Sequence, residues 1–518
     1  MQLQLGEREL IGDRYRIPVI DLEAPPRLEL EATQTPTTQP FQTNNWDTVF
    51  SASFTQMNQY ILAESELHPE NYPTAWSATV PPSGFSEGYS GSGTFQPWQL
   101  DAANPDSGEM LMMNWQIPTC TVTLADGTTY NVTNAVAQVE VSLVAVSTEG
   151  STSTPGPVTK AYMLNTQGTA TLPVATVLTV TYETPTPPVD GLDGAIKNLL
   201  ATWAQSNIGE FKHVFATITL DQQASPSSFQ WLVPTTSAYA YNTSGNPDTS
   251  YFAVLGMVDN HSSASTALVL DAGSVPVGQQ ACYNLAQDTM MQEMILPNLA
   301  GQFPAATADT FVYENHQIVL AANTTLNIGT VKVGLINYDQ ILESFNISVN
   351  GSQLVVYSYV HTPISPGIDA YVENTAYYNL TLGTSSTGTQ SITYTVAQPP
   401  LQRSWSETAT WVIITEAIAD LILAVIGAVI GAVVSSTLST TLRVIVAIVA
   451  GGVLAAVTQI LEETPVWIAG SVPDTLPAID VLFNNAAGGY KWTDTANFKL
   501  TTVGLNGSLQ MSGQMIPN

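Results

Sequence analysis

The sequence predicts an α+β fold built on antiparallel sheet, and three observations carry that prediction. Long amphipathic helical stretches are interleaved with blocks of strand. Val139, Val141 and Leu143 alternate with Gln138, Glu140 and Ser142, which is the period of a sheet with one wet face. Short apolar runs are separated by Gly, Pro and Asn turns, as in antiparallel meanders.

Taken in order, residues 33–40, TQTPTTQP, read as a flexible link between an N-terminal arm and the first folded element. A first helix is expected to start at Asn44 or Asn45, either of which can cap it, with Asp47 in its first turn. Trp46, Val49, Phe50, Phe54, Met57 and Ile61 then fall on one face. Proline density at 184–190, TPTPPVD, forbids helix and central strand alike. A second helix follows, with Leu192, Ile196, Leu199, Leu200 and Trp203 at helical spacing. A third is expected over about 281–296, its apolar side formed by Met290, Met291, Met294 and Ile295 before Pro297. A helical block is expected over about 407–461. Further strand runs are read at 213–220, 331–338, 354–360 and 391–396, with a polar turn at 384–390. These breaks divide the chain into an N-terminal arm (1–40), a helix-plus-sheet region (41–188), a strand-rich region with two helices (189–405), and an apolar helical block with a closing hairpin that packs back on the sheets (406–518). The grammar of helix then strands recurs, without a residue-level repeat.

Composition narrows the function. Charged residues make up 10% of the 518 residues, and 42 acids against 12 bases give a formal net charge of -30. An ordinary globular chain is roughly 25% charged, so Ser, Thr, Asn and Gln must cover much of the exterior. Arg8, Arg14, Arg16 and Arg27 all lie in the first 27 residues, which leaves the remainder more anionic still. Nucleic acid requires clustered cations and is excluded as a partner. Electrostatic adhesion to anionic membrane is disfavoured, so any lipid contact must be driven by apolar burial. Cys120 and Cys282, far apart and outside any CxxC, read as two buried thiols, with a disulfide left open. The stretch MQLQLGERELIGDRYR has no apolar core of a secretory signal. The chain is therefore expected in the cytoplasm as synthesised, with any release by a non-classical route.

The apolar block poses a fork. Leu421 to Val434 is fourteen consecutive apolar or glycine residues, and Val444 to Val457 is fourteen more. Spanning a bilayer takes about 20 apolar residues, whereas runs of 10–14 are more often buried core helices. Glu416 and Asp420, one turn apart, bar extension of the first run backwards. Forward extension buries Ser435, Ser436 and Thr437, which is tolerable if their hydroxyls bond back to the helix. Gly427 and Gly431 form GxxxG, which lets a helix lie close to a sheet or to a second helix in a membrane. Membrane contact without spanning is the expectation.

No catalytic, metal-binding or cofactor-binding motif emerges. Gly84-Phe85-Ser86-Glu87-Gly88 matches GxSxG, but flanking Pro81, Pro82, Gly91, Gly93 and Pro97 exclude the strand and helix of a nucleophile elbow. His68, His213, His261, His316 and His361 are scattered and read as structural or surface residues. Asp190-Gly191-Leu192-Asp193-Gly194 lacks the spacing of a calcium loop and reads as a turn before a helix. No phosphate-binding or dinucleotide fingerprint occurs. Trp76, Phe85, Tyr89, Phe95 and Trp98, in a Gly/Ser/Pro-rich stretch, either pin an irregular loop to the sheet or face a partner.

The stretch 251–299 orders a short strand ending Gly-Met-Val, a polar loop, Pro-Val-Gly, and a Met-rich helix ending Leu-Pro-Asn-Leu. Trp46-Asp47-Thr48-Val49-Phe50 before it, Gly427 to Ala456 after it, and Asn497 through Gln510 at the end stand in the same order as the opening helix, apolar helical region and closing hairpin of a known family. The chain resembles the forty-seven-kilodalton and OrfX proteins of clostridial botulinum-neurotoxin gene clusters, of the tubular lipid-binding (TULIP) superfamily. The resemblance implies strongly curved antiparallel sheets wrapped around long helices in an elongated molecule, and a nonenzymatic protein that binds a lipid or fatty acyl ligand. It also implies a role accessory to a toxin or secreted complex, with sister proteins of the same gene cluster as partners. Two other roles stay open: a membrane-inserting component using the 411–461 helices, and a structural assembly subunit. From the amphipathic pattern, the residues expected to line a hydrophobic groove are Phe50, Phe54, Met57, Ile61, Ile196, Leu199, Trp203, Met290 and Met294. The same pattern also describes a filled core.

Overall fold

The computed structural model describes residues 2–21, 40–84, 87–104, 106–148, 158–168, 173–220, 230–303, 305–384, 390–433, 487–492 and 496–517. These residues form mostly antiparallel sheet with few helices. The largest sheet has ten strands, in the order Leu3–Leu5, Arg14–Asp21, Gln390–Ala409, Ile368–Thr384, Gln353–Ser365, Ile336–Asn350, Gln317–Leu320, Phe311–Glu314, with Glu9–Ile11 and Leu326–Val333 pairing at its sides. Its strands largely alternate in burial, with register shifts such as those at Leu342/Ser344 and Thr375/Tyr377. In Gln353–Ser365, Leu354, Val356, Val360 and Ile364 point inward while Tyr357, Tyr359 and His361 stay half-buried on the other face. The helix Glu416–Val433 packs on the inner face, against Leu326–Val333 and Ile368–Thr384.

A six-stranded sheet runs Ala175–Thr181, Thr129–Val141, Leu111–Leu124, Tyr89–Thr94, Ala75–Val80, with Gln99–Leu100 beside Leu111–Leu124. The helix Leu192–Asn207 lies on it through Leu192, Ile196, Leu199, Leu200 and Trp203. Gly93 makes that sheet's packing feasible: a Cβ there would lie 2.6 Å from Cys120 Cβ and 2.7 Å from Trp76 Nε1. Trp98 stacks on Trp115 at 3.9 Å and on Phe211 at 5.0 Å, with Trp203 edge-on at 6.0 Å. Trp76, Phe95 and Trp98 are thus interior packing; Tyr89 is half-buried, and Phe85 and Ser86 lie outside the described residues.

A seven-stranded sheet runs Ala496–Leu505, Ser508–Pro517, Ala281–Ala286, Thr48–Ser53, Tyr251–Val258, Pro234–Thr243, Asp106–Gly108, and includes the closing hairpin read from sequence. A four-stranded sheet (Leu143–Thr148, Val158–Leu164, Ala216–Leu220, Tyr490–Lys491) completes the set.

Four sequence expectations need correction. The first helix starts at Phe54, not near Asn44: Thr48–Ser53 is a strand, and Ser53 Oγ caps the helix by accepting from Gln56 N–H at 3.3 Å. Asn44 and Asn45 instead take left-handed conformations (φ 53° and 67°) in a turn. Trp46, Val49 and Phe50 mimicked one helix face because this strand is buried on both sides. One side meets the main core; the other meets a second apolar cluster containing Phe41, Trp46, Tyr251 and Leu255. The same cause misplaced the start of the third helix, since Ala281–Ala286 is a doubly buried strand and helical structure begins only at Gln287. Its Met290–Ile295 turn is π-helical, ahead of Pro297, which lacks the N–H that an α-ladder needs. The 407–461 block is not helical at its start: strand Gln390–Ala409 runs into it, and the helix begins at Glu416. Finally, the 331–338 run is two strands joined at Gly334 (φ 62°). The second apolar run and the 33–40 link lie outside the described residues, as does most of the 384–390 turn.

Candidate functional site

All nine residues expected to line a groove are buried. Phe50 is ringed edge-on by Tyr283, Tyr490, Trp492 and Phe498, with centroids 5.2–5.8 Å away. Phe54, Met57 and Ile61 form the inward face of helix Phe54–Leu67, and Ile196, Leu199 and Trp203 that of helix Leu192–Asn207. Met290 and Met294 point inward from the π-helical turn. The fold brings all nine into one continuous apolar cluster, together with the inward side chains of Glu416–Val433.

Two clefts among the described residues are polar and are lined by other residues. One, of about 560 Å³, is bordered by Glu70, Tyr72, Asn207, Glu210 and Lys212. The other, of about 840 Å³, is bordered by Asn44, Asn45, Asp47, His261, Asp288 and His316. Buried Asp47 holds this second region together. Its carboxylate accepts from Val258 N–H at 2.9 Å and Thr289 Oγ1 at 2.7 Å, and meets His261 Nδ1 at 2.9 Å. Nearby, Asp259, His261 and Glu293 bring one ligating atom each within 4.8 Å of one another. The Glu293 carboxyl is pushed up by burial and then by the charge of Asp259. The other histidines are also carboxylate partners: His213 with Glu64, His316 with Asp288, His361 with Glu343 and Asp369, and exposed His68 with Glu70. Cys120 and Cys282 are buried free thiols.

The helix Glu416–Val433 is the one helix among the described residues long and apolar enough to cross a membrane, yet it lies along a sheet. Ile422, Val425, Ile426, Val429, Ile430 and Val433 face inward. Ala417, Asp420, Ala424 and Gly431 are exposed, and 28% of the stretch is buried. Among the described residues, then, this helix is covered on one face, and the second apolar run lies outside them.

Sequence reading missed a second feature of that sheet. Its inner face carries the neutral polar residues Gln340, Ser358, Thr362, Asn374 and Ser406, each at most 2% exposed. Their signal was parity, since Ser358 and Thr362 occupy core-facing positions of an otherwise apolar alternation.

Comparison with known proteins places this geometry. The family model described as "OrfX-like: Protein OrfX2/OrfX3/P47" matches residues 43–513. Protein OrfX3 of Paraclostridium bifermentans is 23% identical over 332 residues, 61% of this chain, and the match spans 65% of that relative's length. Among solved structures, P47 from Clostridium botulinum A2 superposes with a TM-score of 0.58 at 16% identity, covering 92% of this chain and 98% of that one. P47 of Clostridium botulinum E1 gives 0.51 at 12% identity, covering 91% and 99%. At these identities the structural likeness establishes the fold alone. None of these relatives is named as an enzyme.

Proposed function

The chain belongs to the OrfX-like family of OrfX2, OrfX3 and P47 proteins, and from that premise we propose that it is a nonenzymatic protein that binds a lipid or another ligand bearing acyl chains. The observation that carries this reading is the helix Glu416–Val433, 18 residues of high hydropathy of which 28% is buried among the described residues, with Ile418, Leu421 and Leu423 half-buried and Ala424 exposed. At 1.5 Å per residue it is about 27 Å long, enough to run beside a long acyl chain. Leaving such a surface to water is unfavourable, and each methylene that covers it contributes roughly 0.8 kcal/mol. No charged group is needed to hold a ligand by that means, which suits a chain with few bases.

In this reading the sheets curve around the helices in the manner of tubular lipid-binding proteins, and the acyl chain lies along the side of the helix Glu416–Val433 that the sheet leaves open. The nine core residues form the wall behind it. Met57, Met290 and Met294 are the members whose unbranched thioethers re-pack at least cost around ligands of different shape. The role is accessory to a toxin-associated or secreted complex, with sister proteins as partners.

Uptake of a fluorescent fatty acyl probe by the purified chain is the test, and absence of saturable binding would refute the reading. The same helix also favours a second reading, in which it leaves the sheet and enters a bilayer. Dye release from liposomes in step with protein binding would support that alternative over a soluble binder. A purely structural assembly subunit would show neither uptake nor release.

A further inference from the structure

The inner face of the large sheet is not uniformly apolar, because two polar rows cross it. Ile341 pairs with His361, which sets Gln340 against Thr362; Thr362 pairs with Ala370, and Ala370 with Ser406. In the second row Phe345 pairs with Ser358, Ser358 with Asn374, and Asn374 with Gln402. Ser358, Thr362, Asn374 and Ser406 are 0% exposed. Among the described residues, the Ser358, Thr362 and Ser406 hydroxyls, both ends of the Asn374 amide, and the amide nitrogens of Gln340 and Gln402 have no hydrogen-bond partner.

Buried polar groups are nearly always paired, and a fully buried amide with neither end satisfied is expensive. Valine or leucine would fill the same core-parity positions without that cost, and Thr362 differs from valine by one hydroxyl. The charges of this sheet are sorted to its other face, where Arg14 pairs with Asp369, Arg16 with Glu407, and His361 with Glu343. What remains inside is a set of donors and acceptors with no net charge, on the face covered by the helix Glu416–Val433.

Building on the lipid-binding reading above, we propose that these rows receive the uncharged polar group of an amphiphile, an acyl ester bearing free hydroxyls, while its acyl chain runs along the helix. An amide and three hydroxyls supply both donors and acceptors, which matches an ester carbonyl beside a hydroxyl. A carboxylate or phosphate placed there would be buried without a counter-charge. The ligand class is therefore neutral acylglycerols in preference to fatty acid anions or phospholipids.

The test uses the full chain, a fluorescent monoacylglycerol, and the free fatty acid of the same chain length. Wild-type protein is expected to bind the monoacylglycerol at least tenfold more tightly. The Thr362→Val and Asn374→Leu variants, singly and together, are expected to bind both probes alike. Without ligand they should melt at or above the wild-type temperature, because unpartnered groups have been removed. Wild-type preference for the fatty acid, or a preference for monoacylglycerol that survives both substitutions, overturns the proposal. So does a lower melting temperature for ligand-free Thr362→Val, which would mean that structural water satisfies the rows. If wild-type protein binds neither probe, the lipid-binding reading fails first and this one with it.

Discussion

Replacing Ala424 by aspartate separates a ligand-bearing helix face from one that serves only the fold. Ala424 is exposed on helix Glu416–Val433, whereas its neighbours Ile422 and Val425 are fully buried. Aspartate in a helix interior costs about 0.5 kcal/mol relative to alanine. Asp420, one turn earlier, adds a like-charge i,i+4 pair costing about 0.2–0.5 kcal/mol. The fold should therefore lose roughly 1 kcal/mol, which a domain with typical stability of about 5–15 kcal/mol survives. An acyl chain lying on the same face would lose contact for about three methylenes, roughly 2.4 kcal/mol, before any cost of desolvating the carboxylate. That corresponds to an affinity drop of about fifty-fold. Ile422→Ala should do the reverse, costing the fold about 2–5 kcal/mol through the cavity it leaves. Probe titration and urea denaturation of both variants read the two quantities. The reasoning is refuted if Ala424→Asp keeps wild-type affinity, or if it destabilises the fold as much as Ile422→Ala does.

Other consequences are equally concrete. Gly93→Ala forces a Cβ within 2.6 Å of Cys120 Cβ and 2.7 Å of Thr119 O, so it should cost about 1–3 kcal/mol by overpacking, read as a lower urea midpoint. Asp47→Ala leaves Val258 N–H and Thr289 Oγ1 without their buried acceptor and should cost about 3 kcal/mol. Burial pushes the Cys120 thiol from 9.0 up to about 11, and the Tyr162 and Tyr239 phenols from 10.0 up to about 12. The folded chain keeps these protons at pH values where the unfolded chain loses them. Stability is then full below about pH 9 and falls as pH rises towards 12, by about 1.4 kcal/mol per unit for each group in its window. Urea midpoints that stay flat from pH 8 to 11 would contradict that burial.

How far the sequence could be read depended on how many faces of each element are covered. Where one face is wet, the period was plain: Thr129–Val141, Gln353–Ser365 and the helix Leu192–Asn207 could each be read from alternation or helical spacing. Where both faces are covered, as for Thr48–Ser53 and Ala281–Ala286, the strand became a continuous apolar run and passed for helix. The 331–338 run hid a turn because Gly334 and Leu335 interrupt it without proline or asparagine. Family membership was readable because it rested on the order of segments along the chain. The binding surface was not, since amphipathic spacing marks which side chains face inward and cannot say whether they meet protein or ligand. Phe50 and Trp203 answered to that rule, and both are packed among aromatic rings. The polar rows at Ser358 and Thr362 were visible as breaks in parity, but only strand register assembles them across four strands.

The central claim is that apolar surface which the described residues leave partly open along the helix Glu416–Val433 is covered by an oily ligand. Mass spectrometry of organic extracts from the purified full chain tests it most directly. The account predicts a stoichiometric acyl-bearing neutral lipid, absent from extracts of the Ala424→Asp variant. Lipid-free extracts from protein that also ignores added acyl probes would contradict it.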